Sequence, residues 1–272
     1  MKCILIPFIL LTAVLAKGQT AQSLPETQSN TNDKFLMAVA WYQYSAEMEA
    51  LYYQAFNIAT LRLDEALAAD TAGKPLAIIV DIDETMLNNS PFEAAILNNG
   101  ETFQSGWSSW VAGSNAKALP GALEFAKYAQ SRKADIFYIT NRTDLERAAT
   151  LKNLQNVGYP FADDNHLVTR GDQSFSNGNT SSKEGRRIKV AEKYEIALLI
   201  GDNLNDFSVI FEDRETNNGK DAVGQNRLLF GKKFIVLPNP MYGAWEKPLV
   251  NFREGLSEAE KTNIIKAKLV VN

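Results

Sequence analysis

The chain has 272 residues, 45% of them apolar and 22% charged, which excludes a disordered polymer and supplies enough apolar material for one large core or two small ones. Its formal charge of −4 comes without a basic stripe, so nucleic acid polymers are excluded as partners, while a small anion held by a few local cations stays open.

Residues 1–18 open with Lys2, run through an apolar stretch from Ile4 to Leu15 and close on the small residues Ala16 and Gly18. That is the pattern of a signal peptide, too short to span a bilayer, and it predicts secretion to the periplasm or out of the cell. The single cysteine, Cys3, lies inside it, so the mature chain is expected to have no thiol and no disulfide. Without this segment 26 basic residues face 32 acidic ones, a formal charge of −6. Residues 19–32, rich in Gln, Ser, Thr and Asn, read as a disordered tether, and residues 33–272 as a single domain.

From Lys34 to about Ala69 there is no Pro or Gly, and Ala, Leu, Met, Glu and aromatics recur with helical rhythm, which predicts one long helix or two broken ones, ended by Gly73-Lys74-Pro75. Leu76-Ala77-Ile78-Ile79-Val80 then reads as a buried parallel strand that delivers Asp81 and Asp83 at its carboxyl end, where open α/β sheets place their chemistry. Two carboxylates on one side of an extended chain crowd each other and call for a cation, a proton or a substrate; solvated aspartates opening a turn are the alternative.

The segment 86–118 is long for a loop and carries Phe92, Phe103, Trp107 and Trp110, so it is expected to form a small cap inserted over the sheet edge. Further strands are predicted at Ile136 to Thr140, Ala197 to Ile200 and Phe234 to Leu237, with helices near 121–131, 143–157 and 183–193. His166 is the lone histidine, read as structural in a short strand. Strands alternating with helices predict an α/β fold, a central parallel sheet with helices on both faces.

The later strands also end in polar groups, Thr140-Asn141-Arg142 and Gly201-Asp202-Asn203-Leu204-Asn205-Asp206. If the strands are adjacent, Asp81, Asp83, Thr140 and Asp202 converge on one rim, and Lys183 opens the helix before the third of these strands. A carboxylate nucleophile, a second carboxylate, a hydroxyl, a cation and another acidic pair form the set that transfers a phosphoryl group through an aspartyl phosphate.

The order Asp-x-Asp-x-Thr, strand-Thr, Lys, Gly-Asp-x-x-x-Asp resembles the Rossmann-like haloacid dehalogenase superfamily of phosphatases. More closely, the chain resembles the bacterial class C acid phosphatases, the lipoprotein e family, through Ala40 to Glu47, Asp81 to Ser90, Thr140-Asn141-Arg142, Ser182-Lys183-Glu184, Gly201 to Phe207, and Phe230 to Asn239 through Tyr242-Gly243 to Trp245. The resemblance implies Asp81 as nucleophile and Asp83 as general acid and base. It further implies Mg²⁺ held by Asp81, the backbone carbonyl of Asp83 and Asp202, with Thr140 and Lys183 on the phosphoryl oxygens. Asp206 is expected to support the metal shell or orient Lys183, and Trp107 and Tyr242 to clamp a nucleobase.

The implied activity is hydrolysis of small phosphate monoesters, nucleoside 5′-monophosphates among them. A class B-like acid phosphatase and a non-catalytic storage or binding relative are the alternatives; Glu84 speaks against the first and Asp81 against the second. The name-giving relatives of the lipoprotein e family are lipoproteins acylated on a cysteine after the signal, and residues 16–21 have none, so no lipid anchor is expected. A homodimer stays open.

Overall fold

The computed structural model describes residues 35–69, 73–99, 102–175, 178 and 180–271. The expected signal peptide and tether lie outside these residues. The chain opens with helices α1 (Leu36–Tyr44) and α2 (Ala46–Ala69). Ser45 separates them: its backbone turns extended and its hydroxyl accepts the Met48 N–H at 3.1 Å, capping the second helix as it ends the first.

Strand β1 (Leu76–Val80) is buried along its whole length. A two-stranded antiparallel ribbon, β2 (Leu87–Asn88) with β3 (Lys117–Ala118), then frames a helical insertion of α3 (Ser90–Asn99) and α4 (Phe103–Gly113). After it come α5 (Ala122–Ser131), β4 (Asp135–Thr143), α6 (Arg147–Val157), β5 (Leu167–Arg170), α7 (Glu184–Ala191) and β6 (Glu195–Gly201). The chain continues through α8 (Lys220–Gln225), β7 (Phe234–Val236), α9 (Glu246–Leu249) and α10 (Glu258–Lys268).

The five long-range strands form one parallel sheet in the order β5-β4-β1-β6-β7. Alternation along β1 explains its two-sided burial. Leu76, Ile78 and Val80 join Ile136, Tyr138 and the residues of α2 and α5 on one face, while Ala77 and Ile79 meet Phe137, Ile139, Val168, Val190 and Phe234 on the other. From β1 the chain builds outward to β4 and β5, then crosses back to β6 and β7 on the opposite side, so the connections diverge above β1. A sheet of this kind opens a crevice at that switch point, beyond the strand carboxyl ends.

The helix expected at 143–157 is preceded by a 3₁₀ turn at Asp144–Glu146, and the short strand expected around His166 starts one residue later, at Leu167. No helix among the described residues is long and apolar enough to cross a membrane.

Candidate active site

Asp81 stands one residue beyond β1, and its N–H still donates to the Ile200 carbonyl of β6 at 3.0 Å, so it is fixed by the sheet ladder although the strand has ended. Asp202 holds the equivalent position after β6. Lys183, at the start of α7 and 4% exposed, reaches this rim: its ammonium donates to Asp81 and to Asp206 Oδ1, the latter at 2.7 Å. Asp206 turns its other oxygen onto the Asn203 N–H at 3.0 Å. Gly201 permits this, because a Cβ there would lie 2.3 Å from Asp206 Oδ2.

Burial, opposed by Lys183 and reinforced by Asp206 and Asp83, pushes the Asp81 carboxyl up to about 7. Burial likewise raises Asp202 well above the carboxylate range, with Asp206 and Asp81 adding repulsion. The Lys183 ammonium is pulled down by burial, but Asp206 and Asp81 outweigh that and hold it above its ordinary value.

Asp81 and Asp83 line the same cleft, and each meets its own cation. Arg142, from the end of β4, grips Asp83 with Nε and Nη2 at 3.0 and 2.7 Å, and Asn89 Nδ2 donates to the same carboxylate at 2.8 Å. A forked guanidinium fixes orientation as well as charge. The sequence pattern did not assign Arg142 this role; a basic residue two positions after a strand-end threonine was its only trace.

Thr140 is fully buried, and its hydroxyl accepts the Arg142 N–H at 3.0 Å, while Asn141 and Arg142 line the cleft. Two further arginines of α7 escaped the sequence reading. Arg186 donates to the Thr140 carbonyl at 2.5 Å and to Asn141 Oδ1 at 2.7 Å, and Arg187 to the carbonyls of Asn205 and Asp206 at 2.9 and 3.0 Å. One helix start thus pins both flanking strand-end loops and supplies Lys183.

A cleft of about 240 Å³ opens over these groups, with Asp81, Asp83, Lys183, Asp202 and Asp206 on its floor and Phe103, Trp107 and Tyr242 on its wall. Trp107 is already engaged: Phe103 stacks on it at 5.0 Å between centroids and the Arg142 guanidinium lies 5.4 Å from its ring centre. Phe103, 53% exposed, is the more open ring of that stack. The Tyr242 hydroxyl is hydrogen-bonded to the buried Glu84.

A family model described as HAD superfamily, subfamily IIIB (Acid phosphatase) matches residues 12–245. The chain belongs to this family. Its structure is similar to that of the class C acid phosphatase from Bacillus anthracis, with a TM-score of 0.82 and 39% identity over 90% of this chain and 100% of that one. It is similar also to the tungstate-bound crystal structure of the B. anthracis protein, TM-score 0.81, with 38% identity. Among curated sequences, Acid phosphatase 1 of Solanum lycopersicum and the Stem 28 kDa glycoprotein of Glycine max are each 28% identical over 165 residues. That stretch is 60% of this chain and covers 57% and 62% of those proteins, respectively.

One carboxylate oxygen each from Asp81, Asp202 and Asp206 lies within 4.8 Å of the others. An all-oxygen set of this kind fits a hard divalent cation, which would offset the burial and the like-charge repulsion that raise Asp81 and Asp202. A stability signature follows for this acid phosphatase-family chain. Without metal, the folded state keeps a proton on Asp81 that the unfolded chain releases near 3.8, so the folded state binds more protons and stability falls as pH rises from about 4 to about 7. A divalent cation should restore it, by about 2.7 kcal/mol at a hundred times its dissociation constant. Thermal unfolding across that pH range, with chelator or with added metal, checks this; a Tm indifferent to metal at neutral pH would contradict it.

Proposed function

We propose that the protein is a secreted, Mg²⁺-assisted acid phosphatase that hydrolyses small phosphate monoesters, nucleoside 5′-monophosphates among them, through a phosphoryl group carried on Asp81. The observation that carries this reading is the placement of Asp81 beside Asp202, Asp206 and Lys183 at the switch point, with Asp83 in the same cleft gripped by its own arginine.

Asp81, Asp202 and the Asp83 backbone carbonyl would hold the ion, with Asp206 close enough to share it. Bound there, Mg²⁺ supplies charge screening between a carboxylate nucleophile and a phosphate dianion. In the first step an Asp81 oxygen attacks phosphorus, the ester P–O bond breaks, and the departing alkoxide takes a proton from Asp83. In the second, Asp83 takes a proton from water as the water oxygen attacks the same phosphorus. The bond to Asp81 breaks, and phosphate leaves. Lys183 offsets the negative charge on the transferring oxygens. Thr140, whose hydroxyl accepts the Arg142 N–H and still carries an O–H to donate, would share the phosphoryl oxygens with Lys183.

The 86–118 insertion acts as the cap, bringing Phe103 and Trp107 into the cleft that Tyr242 also lines. Aromatic walls accept any base, because every base has a π-face, with about 1–3 kcal/mol per stacked base where nucleic-acid binders have been measured. Binding of tungstate, a tetrahedral oxyanion, by the B. anthracis relative supports a phosphate site in the same fold. The signal-peptide pattern of residues 1–18 supports export.

Turnover of a panel of phosphate monoesters before and after chelation tests the reading. Activity lost with chelator and regained with Mg²⁺, highest on esters with aromatic or nucleoside leaving groups, is expected. Full activity in chelator would contradict it.

A further inference from the structure

Glu84 follows the paired aspartates directly, and its surroundings are costly for a glutamate. It is fully buried, and its backbone sits at φ 55, in the left-handed region that favours glycine. A residue that breaks two local preferences at once beside a reactive loop needs a return elsewhere in the structure.

That return is visible in its partners. Glu84 Oε1 accepts the Asn89 N–H at 2.7 Å, and Oε2 accepts Asn89 Nδ2 at 3.4 Å together with the Tyr242 hydroxyl. Asn89 Nδ2 also donates to Asp83 at 2.8 Å, and Asn89 Oδ1 accepts the Trp110 indole N–H at 2.8 Å. At the other end of Tyr242, Asn239 holds the backbone: its Oδ1 accepts the Met241 N–H at 2.9 Å, and its Nδ2 donates to Asp202 at 2.9 Å. The Tyr52 hydroxyl closes the gap beneath, 2.5 Å from the Glu84 carbonyl and 3.5 Å from that of Pro238.

We propose that Glu84 is a positioning residue that sets leaving-group selectivity, holding the Tyr242 ring in the cleft wall by its hydroxyl and tying that wall to Asp83 through Asn89. The proposal rests on the phosphatase reading above. It follows that Tyr242 offers its ring, not its hydroxyl, to the leaving group. A ring fixed at both ends is pre-organised, and binding then loses less side-chain freedom. Releasing the hydroxyl frees the ring to turn out of the wall and weakens binding of flat leaving groups most.

The test compares wild type, Tyr242→Phe, Glu84→Gln and the double variant on a nucleoside monophosphate and on glycerol phosphate. Wild-type turnover of these esters tests the phosphatase reading; the ratio of their KM values across the variants tests Glu84. Tyr242→Phe keeps the ring and loses only the link, and is expected to raise KM for the nucleotide about fivefold to tenfold relative to glycerol phosphate, with kcat on the nucleotide changed much less. Glu84→Gln should shift the ratio the same way, and the double variant should shift it no further than the larger single change. An unchanged ratio in Tyr242→Phe, or additive effects in the double variant, overturns the proposal. If Glu84→Gln does not fold, the KM ratio of Tyr242→Phe alone decides.

Discussion

Replacing Asp81 with asparagine is expected to abolish turnover and leave the fold standing. The amide has the shape of the carboxylate but no oxygen nucleophile, and loss of a nucleophile in enzymes of this kind costs about 10⁴-fold or more. Stability should hold, because Asp81 is a buried carboxylate facing Asp206 and Asp83, and the neutral amide removes that repulsion while Lys183 keeps Asp206 as its partner. Asp83→Asn should also be severe, by about 10²–10⁴-fold, with esters of good leaving groups suffering less in the first step. The two variants thus separate: only Asp83→Asn should regain rate as the leaving group improves. Values of kcat/KM on aryl phosphates of graded acidity, which report the first step, check this, and a similar residual value for both variants on every ester would contradict it.

Lys183→Met is the second change with a large expected effect, and it strikes stability as well as rate. Methionine keeps the apolar stem but leaves Asp81 and Asp206 buried without their shared ammonium. Breaking a buried ion pair from one side costs about 3–5 kcal/mol. The Asp81 carboxyl, already raised, loses the one partner that lowers it, so the deficit should be largest at neutral pH, where the folded state must ionise it, and smallest in acid. A divalent cation should recover more stability in this variant than in wild type. Denaturant unfolding at acid and neutral pH, with and without metal, measures all of this; a metal-free variant as stable as wild type at neutral pH would contradict the bridging role.

The rim itself was legible because it is written locally. An apolar run that stops at Val80 and one that stops at Gly201 each announce a buried strand followed by polar residues, and adjacent parallel strands bring Asp81 and Asp202 together. Lys183 was legible as a cation at a helix start, whereas the break at Ser45 was left open between one long helix and two.

What stayed hidden are contacts between residues distant in sequence. Nothing in Thr140-Asn141-Arg142 says that the arginine crosses to Asp83, 59 positions earlier. The aspartate pair was expected on one side because a strand alternates with period two, and both line the cleft although β1 ends at Val80. Tyr242 could be placed near the cleft, but its hydroxyl contact to Glu84 depends on how the 239–245 turn packs. Periodicity reports which face a residue occupies, and it carries no information about its partner there.

The most direct test of the central claim is to quench the Mg²⁺-loaded protein in acid during turnover of a phosphate monoester and to map phosphate onto its peptides by mass spectrometry. Phosphate on the peptide carrying Asp81, absent from Asp81→Asn and more abundant when water attack is slowed by Asp83→Asn, is the predicted result. Undiminished turnover with no phosphate on that peptide, or phosphate on another residue instead, would contradict the account.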